Sequence, residues 1–484
     1  MASIKRNFFY NILLNVTNVI FPLVTAPYVA RVLDPDGLGL ANFANSYAAY
    51  FAMVAALGSK TYSYREIAKH RNRADKIQEF VSEIFSLTGI NTLIVSLIFI
   101  ISVLCIPQLA ENKLIFILAG FVLYLTPLKL DWYFIGMEKL GVITSRSVII
   151  RIVSICCLFL FVKNKSDLYI YVLLSVLSSM GGIVWNVIML YKDKISLKVT
   201  AKGLNKHYKP LLILFSSSVA VSIYTMLDSL MLGFLSNYNE VGYYSSASTI
   251  SRTLLAVVTS LSAVAVPRVA YYMQQKDYTN INALIIKSIN IVAFLAFPMT
   301  IGVACIAPRF TTLFLGEAFQ GAIIPMIILA FILIATGLNN ITGMQILIGM
   351  GFDKLLLYSQ IIGAGVNLVL NFFLIPKYGA TGAACASVLA ELIILGITIY
   401  FIKKYTQVNI KGRLSDLWKA FIGVIPFVPV TILIYHLSSG WISVIVTMLL
   451  CSLLYAVSQY MLKSSSYMII HGMIVSKVSK LLGK

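Results

Sequence analysis

Of the eleven charged side chains within long apolar runs of this 484-residue sequence, six stand out: Lys129, Asp131, Arg151, Asp228, Arg252 and Glu391. Two more, Arg31 and Arg65, stand where such runs end. Guanidinium groups grip phosphate or carboxylate oxygens through two parallel N–H···O bonds and keep their charge, so the cations form a candidate anion-binding set. An apolar setting favours the neutral form of a carboxyl group. Asp131, Asp228 and Glu391 are therefore candidate proton or sodium sites, and Glu391 has no obvious partner. A structural alternative pairs Asp228 with Arg252, and Asp131 with Arg151 or Lys129, as ion pairs between helices.

Other chemistry finds little support. Asp34-Pro35-Asp36 is a DxD run of the kind that holds a divalent metal in membrane glycosyltransferases, but Arg31–Gly39 also reads as a tight Pro/Gly turn. His70, His207, His436 and His471 are scattered singly, and the six cysteines lie in apolar runs without a CxxC. No phosphate-cradling GxxxxGK[ST] loop, dinucleotide GxGxxG or HExxH is present. We expect no metal, no cofactor and no ATP-driven motor.

The elements that must hold these charges follow from composition. The chain is 59% hydrophobic and 12% charged, with a mean hydropathy of +0.88. Soluble domains carry about 25% charged residues, which excludes a soluble fold. A bilayer core takes about 20 apolar residues per helix. About fourteen segments qualify, near 8–30, 40–59, 79–106, 113–135, 141–162, 168–191, 210–235, 241–267, 283–306, 321–349, 355–375, 380–402, 417–437 and 441–462; they are numbered as spans 1 to 14 below. Span 1 holds Pro22 and Pro27 and reads as a retained span rather than a cleaved leader.

Lysine and arginine are enriched in cytoplasmic loops. With the N-terminus inside, the inner segments carry 26 of these residues and the outer loops six. That bias predicts an even number of spans with both termini cytoplasmic. It also accounts for most of the +20 net charge, so no nucleic-acid partner is expected.

Self-similarity organises the spans. Ile135-Gly136-Met137-Glu138-Lys139-Leu140 closes span 4, and Ile348-Gly349-Met350-Gly351-Phe352-Asp353-Lys354-Leu355 closes span 10 with two extra residues. A fainter match sets Leu33–Ala44 beside Leu235–Ala247. Offsets of about six spans predict a parallel repeat. The expected organisation is a six-helix lobe over 1–191, a basic linker over 192–209, a second six-helix lobe over 210–402, and two extra helices with a basic tail over 403–484.

Four short segments carry a family resemblance. They are Arg31-Val32-Leu33-Asp34-Pro35-Asp36-Gly37-Leu38-Gly39 and Tyr64-Arg65-Glu66-Ile67-Ala68-Lys69, then Asp131-Trp132-Tyr133-Phe134-Ile135-Gly136-Met137-Glu138 and Leu374–Ala384. In order and at matching spans, they resemble Wzx-type polysaccharide-biosynthesis flippases of the multidrug/oligosaccharidyl-lipid/polysaccharide exporter superfamily. The resemblance implies an all-α membrane protein of two six-helix lobes facing a central cavity, opened alternately to either side. It implies an undecaprenyl-pyrophosphate-linked oligosaccharide as substrate, moved from the cytoplasmic to the outer leaflet of a bacterial plasma membrane, with no catalysis. Membrane lipids and a polysaccharide polymerase and chain-length regulator are the implied partners, and the coupling ion, proton or sodium, stays open. The alternative readings are a multidrug or cation antiporter of the same superfamily or a peptidoglycan-precursor flippase and, from another class, a membrane glycosyltransferase.

Within that frame Lys129, Arg151 and Arg252 are expected to line the cavity, with Arg31 and Arg65 at its two entrances. Lys287, Glu79, Arg146 and Lys419, near cytoplasmic ends, are expected to snorkel. Asn339, Asn340, Thr342 and Gln345 of span 10, with Asn367 and Asn371 of span 11, are candidate sugar ligands. Span 1, with Asn11, Asn15, Thr17 and Asn18 below its two prolines, is a candidate lateral gate.

Overall fold

In the computed structural model, residues 4–260, 262–408 and 415–468 are described. The side chains of Asn11, Asn15 and Asn18, the segment 409–414 and the tail 469–484 lie outside the described residues. Helices account for nearly every described element, and there is no strand among them. The fourteen predicted spans all fall on helical segments, several of them built from two or more pieces. Eight helical stretches among the described residues are long and apolar enough to cross a membrane. Their outer faces carry rows such as Leu93, Ile94, Leu97 and Ile98, all more than half exposed, which fits a lipid-facing surface. The protein is an all-α, multi-pass membrane protein.

Helix breaks fall where the residues demand them. Ile4–Ala56 contains spans 1 and 2 and breaks at Asp34, whose φ is 55°. Aspartate tolerates that left-handed geometry, and Pro35 cannot donate to the preceding turn. Asp353–Tyr405 contains spans 11 and 12 and breaks at Gly379, φ 51°, three residues after Pro376. Span 6 breaks between Met180 and Gly182, and span 13 between Val424 and Phe427 at Pro426. Span 10 ends in a π-helix over Asn340–Ile348.

The chain packs as two compact units, Met1–Gly242 and Tyr243–Lys484. Span 7, over Asn205–Leu235, belongs to the first packing unit. Phe43, fully buried there, meets Phe116 and Phe234 edge to face with ring centroids 5.5 and 5.1 Å apart. Gly39 lies directly against the carbonyl of Tyr238, and Gly242 against that of Pro35. A Cβ at either position would overlap backbone, which explains small residues at this helix–helix contact.

The segment 192–209 is strapped along span 3. The Gln78 amide donates to Ser196 O at 2.7 Å and accepts from Ser196 N at 2.8 Å. Ser86 Oγ accepts from Thr200 N at 2.8 Å. Buried Glu83 accepts from Lys206 Nζ at 2.7 Å and from His207 Nε2 at 2.8 Å, and His207 Nδ1 lies 2.9 Å from the Tyr62 hydroxyl. In the second unit, spans 13 and 14 pack on span 9 through Val424, Phe427, Cys451 and Tyr455 against Phe294, Phe297 and Ile301.

Candidate functional site

Span 5, Leu140–Phe161, carries Arg151 at its middle. With the upper part of span 1 and the first half of span 6, it walls a cavity of about 320 Å³ inside the first unit. Pro22 and Pro27 interrupt the backbone ladder of span 1 here, and Thr25 Oγ1 donates back to Phe21 O at 3.1 Å. Phe21, Pro22, Ile155, Leu158 and Leu174 supply the apolar wall. Tyr171, Ser175 and Ser178 form a stripe at i, i+4 and i+7 on span 6, and Ser154 stands one turn beyond Arg151 on span 5.

Arg151 makes no hydrogen bond or ion pair with any described residue, and its Nη1 is buried without a partner. Its guanidinium carbon lies 5.7 Å from the Phe21 ring centroid, a weak cation–π contact. An unmet charged donor in a protein interior is costly, and native structures hold few of them. The Ser154, Ser178 and Tyr171 hydroxyls are likewise unbonded to the described residues, whereas Ser175 is engaged by Asn45 Nδ2 at 3.2 Å. Chemically, the cavity offers one fixed positive fork, several hydroxyls and aromatic faces.

The other predicted cations do not join it. Arg31 and Arg65 are exposed, Arg65 on the short helix Ser59–Lys69. Lys129 stands in the non-helical break before Asp131–Gly136, within electrostatic range of Lys60. Arg252, in the second unit, is exposed, and its Nε donates to Ser248 Oγ at 3.0 Å.

The carboxylates are held in different ways. Asp131 pairs neither with Arg151 nor with Lys129: Arg146 Nη2 lies 2.9 Å from Asp131 Oδ1, and Asn186 Nδ2 donates to the same oxygen at 2.9 Å. Arg146 also donates to Asn186 Oδ1 and is buried, so it does not snorkel. The ring closes because Gly182, which has no side chain, lets the guanidinium lie against its backbone. Asp228 is buried in the first unit. Glu391, buried in the second, accepts from Asn339 Nδ2.

The proposed sugar ligands of spans 10 and 11 turn inward to each other. Thr342 bonds Thr398 at 2.9 Å, Gln345 donates to Ser262 at 2.8 Å, and Asn371 donates to fully buried Asn367 at 3.1 Å. The first two bonds join helices, and the third lies within span 11. Asp34 of the DxD run is ion-paired with Lys165.

The motif segments themselves are joints. Gly136 sits against Ile67 and the Tyr64 carbonyl, and Arg71 Nη2 donates to Gly136 O at 2.8 Å while pairing with Glu138 at 3.0 Å. Gly382 likewise lies against the Leu374 carbonyl.

The bundle, with discontinuous spans and a half-polar pocket inside one unit, is that of a multi-pass membrane protein. The chain belongs to the family described as "Polysaccharide biosynthesis protein", whose pattern matches residues 4–273. An Escherichia coli (strain K12) protein named as an O-antigen transporter is 26% identical over 413 residues, covering 83% of this chain and 97% of its own. Among solved structures, the lipid II flippase MurJ in an inward closed conformation aligns with a TM-score of 0.68 at 17% identity, covering 94% of this chain and 98% of that one. An inward-facing multidrug resistance MATE family transporter aligns at 0.59 and 14%, covering 82% and 96%. The fold is shared with these two proteins.

Proposed function

We propose that this protein is a flippase that carries undecaprenyl-pyrophosphate-linked oligosaccharide repeat units from the cytoplasmic to the outer leaflet of a bacterial plasma membrane by alternating access, for cell-surface polysaccharide assembly. Both termini face the cytoplasm in this reading, and Arg31, Arg65, Lys129, Arg151 and Arg252 attract the anionic substrate. The single observation that carries it is Arg151: a mid-span guanidinium left without a partner among the described residues, inside a hydroxyl-lined cavity. A purely structural arginine at that depth would have found a carboxylate, as Arg146 has. Family membership and the O-antigen transporter relative support the substrate class. Coupling to a proton or sodium gradient runs through Glu391, the buried carboxyl group held by Asn339.

The test is flipping in proteoliposomes, with a fluorescent undecaprenyl-pyrophosphate oligosaccharide and a membrane-impermeant quencher. Protein-dependent movement that is lost in Arg151→Ala supports the proposal. Glu391→Gln is expected to remove stimulation by the gradient while sparing downhill movement. Gradient-driven efflux of cationic dyes without glycolipid movement would make the protein a drug antiporter instead.

A further inference from the structure

Resting on the flippase reading, we infer that the Arg151 cavity is a subsite for one carboxylated sugar of the transported glycan, and not for the lipid's pyrophosphate. Charge comes first. Arg151 is the one charged side chain lining the cavity among the described residues. A diphosphate diester brings about two negative charges, and one of them would be left without a counter-ion here. A single carboxylate balances the single guanidinium and matches its two-pronged geometry.

Size and lining agree. A volume of about 320 Å³ is at the small end of ligand pockets, room for about one sugar ring rather than a repeat unit. Pyranose rings present hydroxyls at the rim and C–H groups on their faces. The Ser154, Ser178 and Tyr171 hydroxyls, without a partner among the described residues, meet the first need, and the Phe21 and Tyr171 rings the second. A pyrophosphate has no use for aromatic faces. The interrupted first span gives this wall a backbone that can bend as the ring enters.

The experiment measures binding of three soluble probes to the purified full-length protein in lipid nanodiscs, by ligand-observed saturation-transfer NMR. The probes are methyl glucuronide, methyl glucoside and inorganic pyrophosphate. We expect the glucuronide to bind about tenfold or more tightly than the glucoside, the scale of a charge-assisted hydrogen-bond pair. Arg151→Gln should abolish that preference, and Arg151→Lys, which keeps the charge but not the fork, should retain only part of it. Ser178→Ala should weaken both sugars together. Folding of each variant is read by size-exclusion profile.

Equal binding of the two sugars, a preference that survives Arg151→Gln, or pyrophosphate displacing the glucuronide with equal or greater affinity would overturn the inference. The flipping assay separates the two levels. Movement of glycolipids with no glucuronide preference leaves the flippase standing and removes the acidic-sugar subsite. Arg151-dependent glucuronide binding without glycolipid movement does the reverse.

Discussion

Asp131 and Arg146 form a pair whose two members are unequally wet: the Arg146 side chain is 8% exposed and the Asp131 side chain 40%. Removing one partner of a buried pair costs about 3–5 kcal/mol because the other is left charged and dry. The penalty therefore depends on which partner remains. Asp131→Ala strands the guanidinium, which keeps only Asn186 and the Gly182 carbonyl, 3.4 Å from Nη1. That variant should lose stability near the full figure. Arg146→Met leaves a carboxylate that water can reach and that Asn186 still serves, so its loss should be about 1–2 kcal/mol, closer to that of an exposed pair. The double variant should be less damaged than Asp131→Ala alone, since it strands no charge. Thermal unfolding of the detergent-purified variants, compared under one scan rate, ranks the three. If Arg146→Met proves as damaging as Asp131→Ala, or if the double variant is the worst, unequal burial does not control this site and the reasoning fails.

Further outcomes follow from individual contacts. Arg151→Met should raise the unfolding temperature while abolishing flipping, because it removes an unmet buried donor; a lower temperature would mark Arg151 as structural. Gly39→Ala should abolish recovery of monodisperse protein, since the new methyl overlaps the Tyr238 carbonyl and a helix backbone cannot step aside; normal yield would refute the packing argument. Arg309 stacks 3.9 Å over the Tyr435 ring and donates at 2.6 Å to both Tyr435 O and Ser438 O, closing the end of a helix. Arg309→Lys should cost about 1–2 kcal/mol in unfolding, for a lysine cannot serve both carbonyls and stack at once. The Asp277 carboxyl group, outside the spans, is held below its usual range by the Asn280 backbone and side-chain N–H groups. Its contribution to starting the Tyr278–Leu315 helix is present above the ordinary carboxylate range and lost as pH falls through the depressed value. Hydrogen exchange at Asn280 should thus accelerate on acidification in the wild type but be pH-flat, once intrinsic exchange is corrected, in Asp277→Asn.

Much of this architecture is written locally. A run of about 20 apolar residues is its own signal, and Asp34-Pro35 and Pro376…Gly379 mark breaks that the backbone obeys. Pairings across spans are not local. Asp131 finds Arg146 rather than Arg151 because the register between spans 4, 5 and 6, with the gap at Gly182, decides which guanidinium arrives. Depth alone could not distinguish Arg146 from a snorkelling residue. The hydroxyl wall of the Arg151 cavity did leave a trace, the i, i+4, i+7 stripe of Tyr171, Ser175 and Ser178, but serine is so ordinary in membrane helices that the stripe gains meaning only opposite an unpaired arginine. The polar side chains of spans 10 and 11 show the converse: groups that suggest a ligand bond to neighbouring helices or within their own.

The strap along span 3 has a consequence for how the protein is made. Glu83 takes its counter-charge from Lys206, 123 residues later in the chain. At about 5–20 residues per second, roughly 6–25 s of synthesis separate the carboxylate from the side chains that neutralise it. Throughout that interval the third span carries a carboxylate whose partners have not yet been made. The buried carboxylate of the third span is thus completed only by residues that follow the sixth.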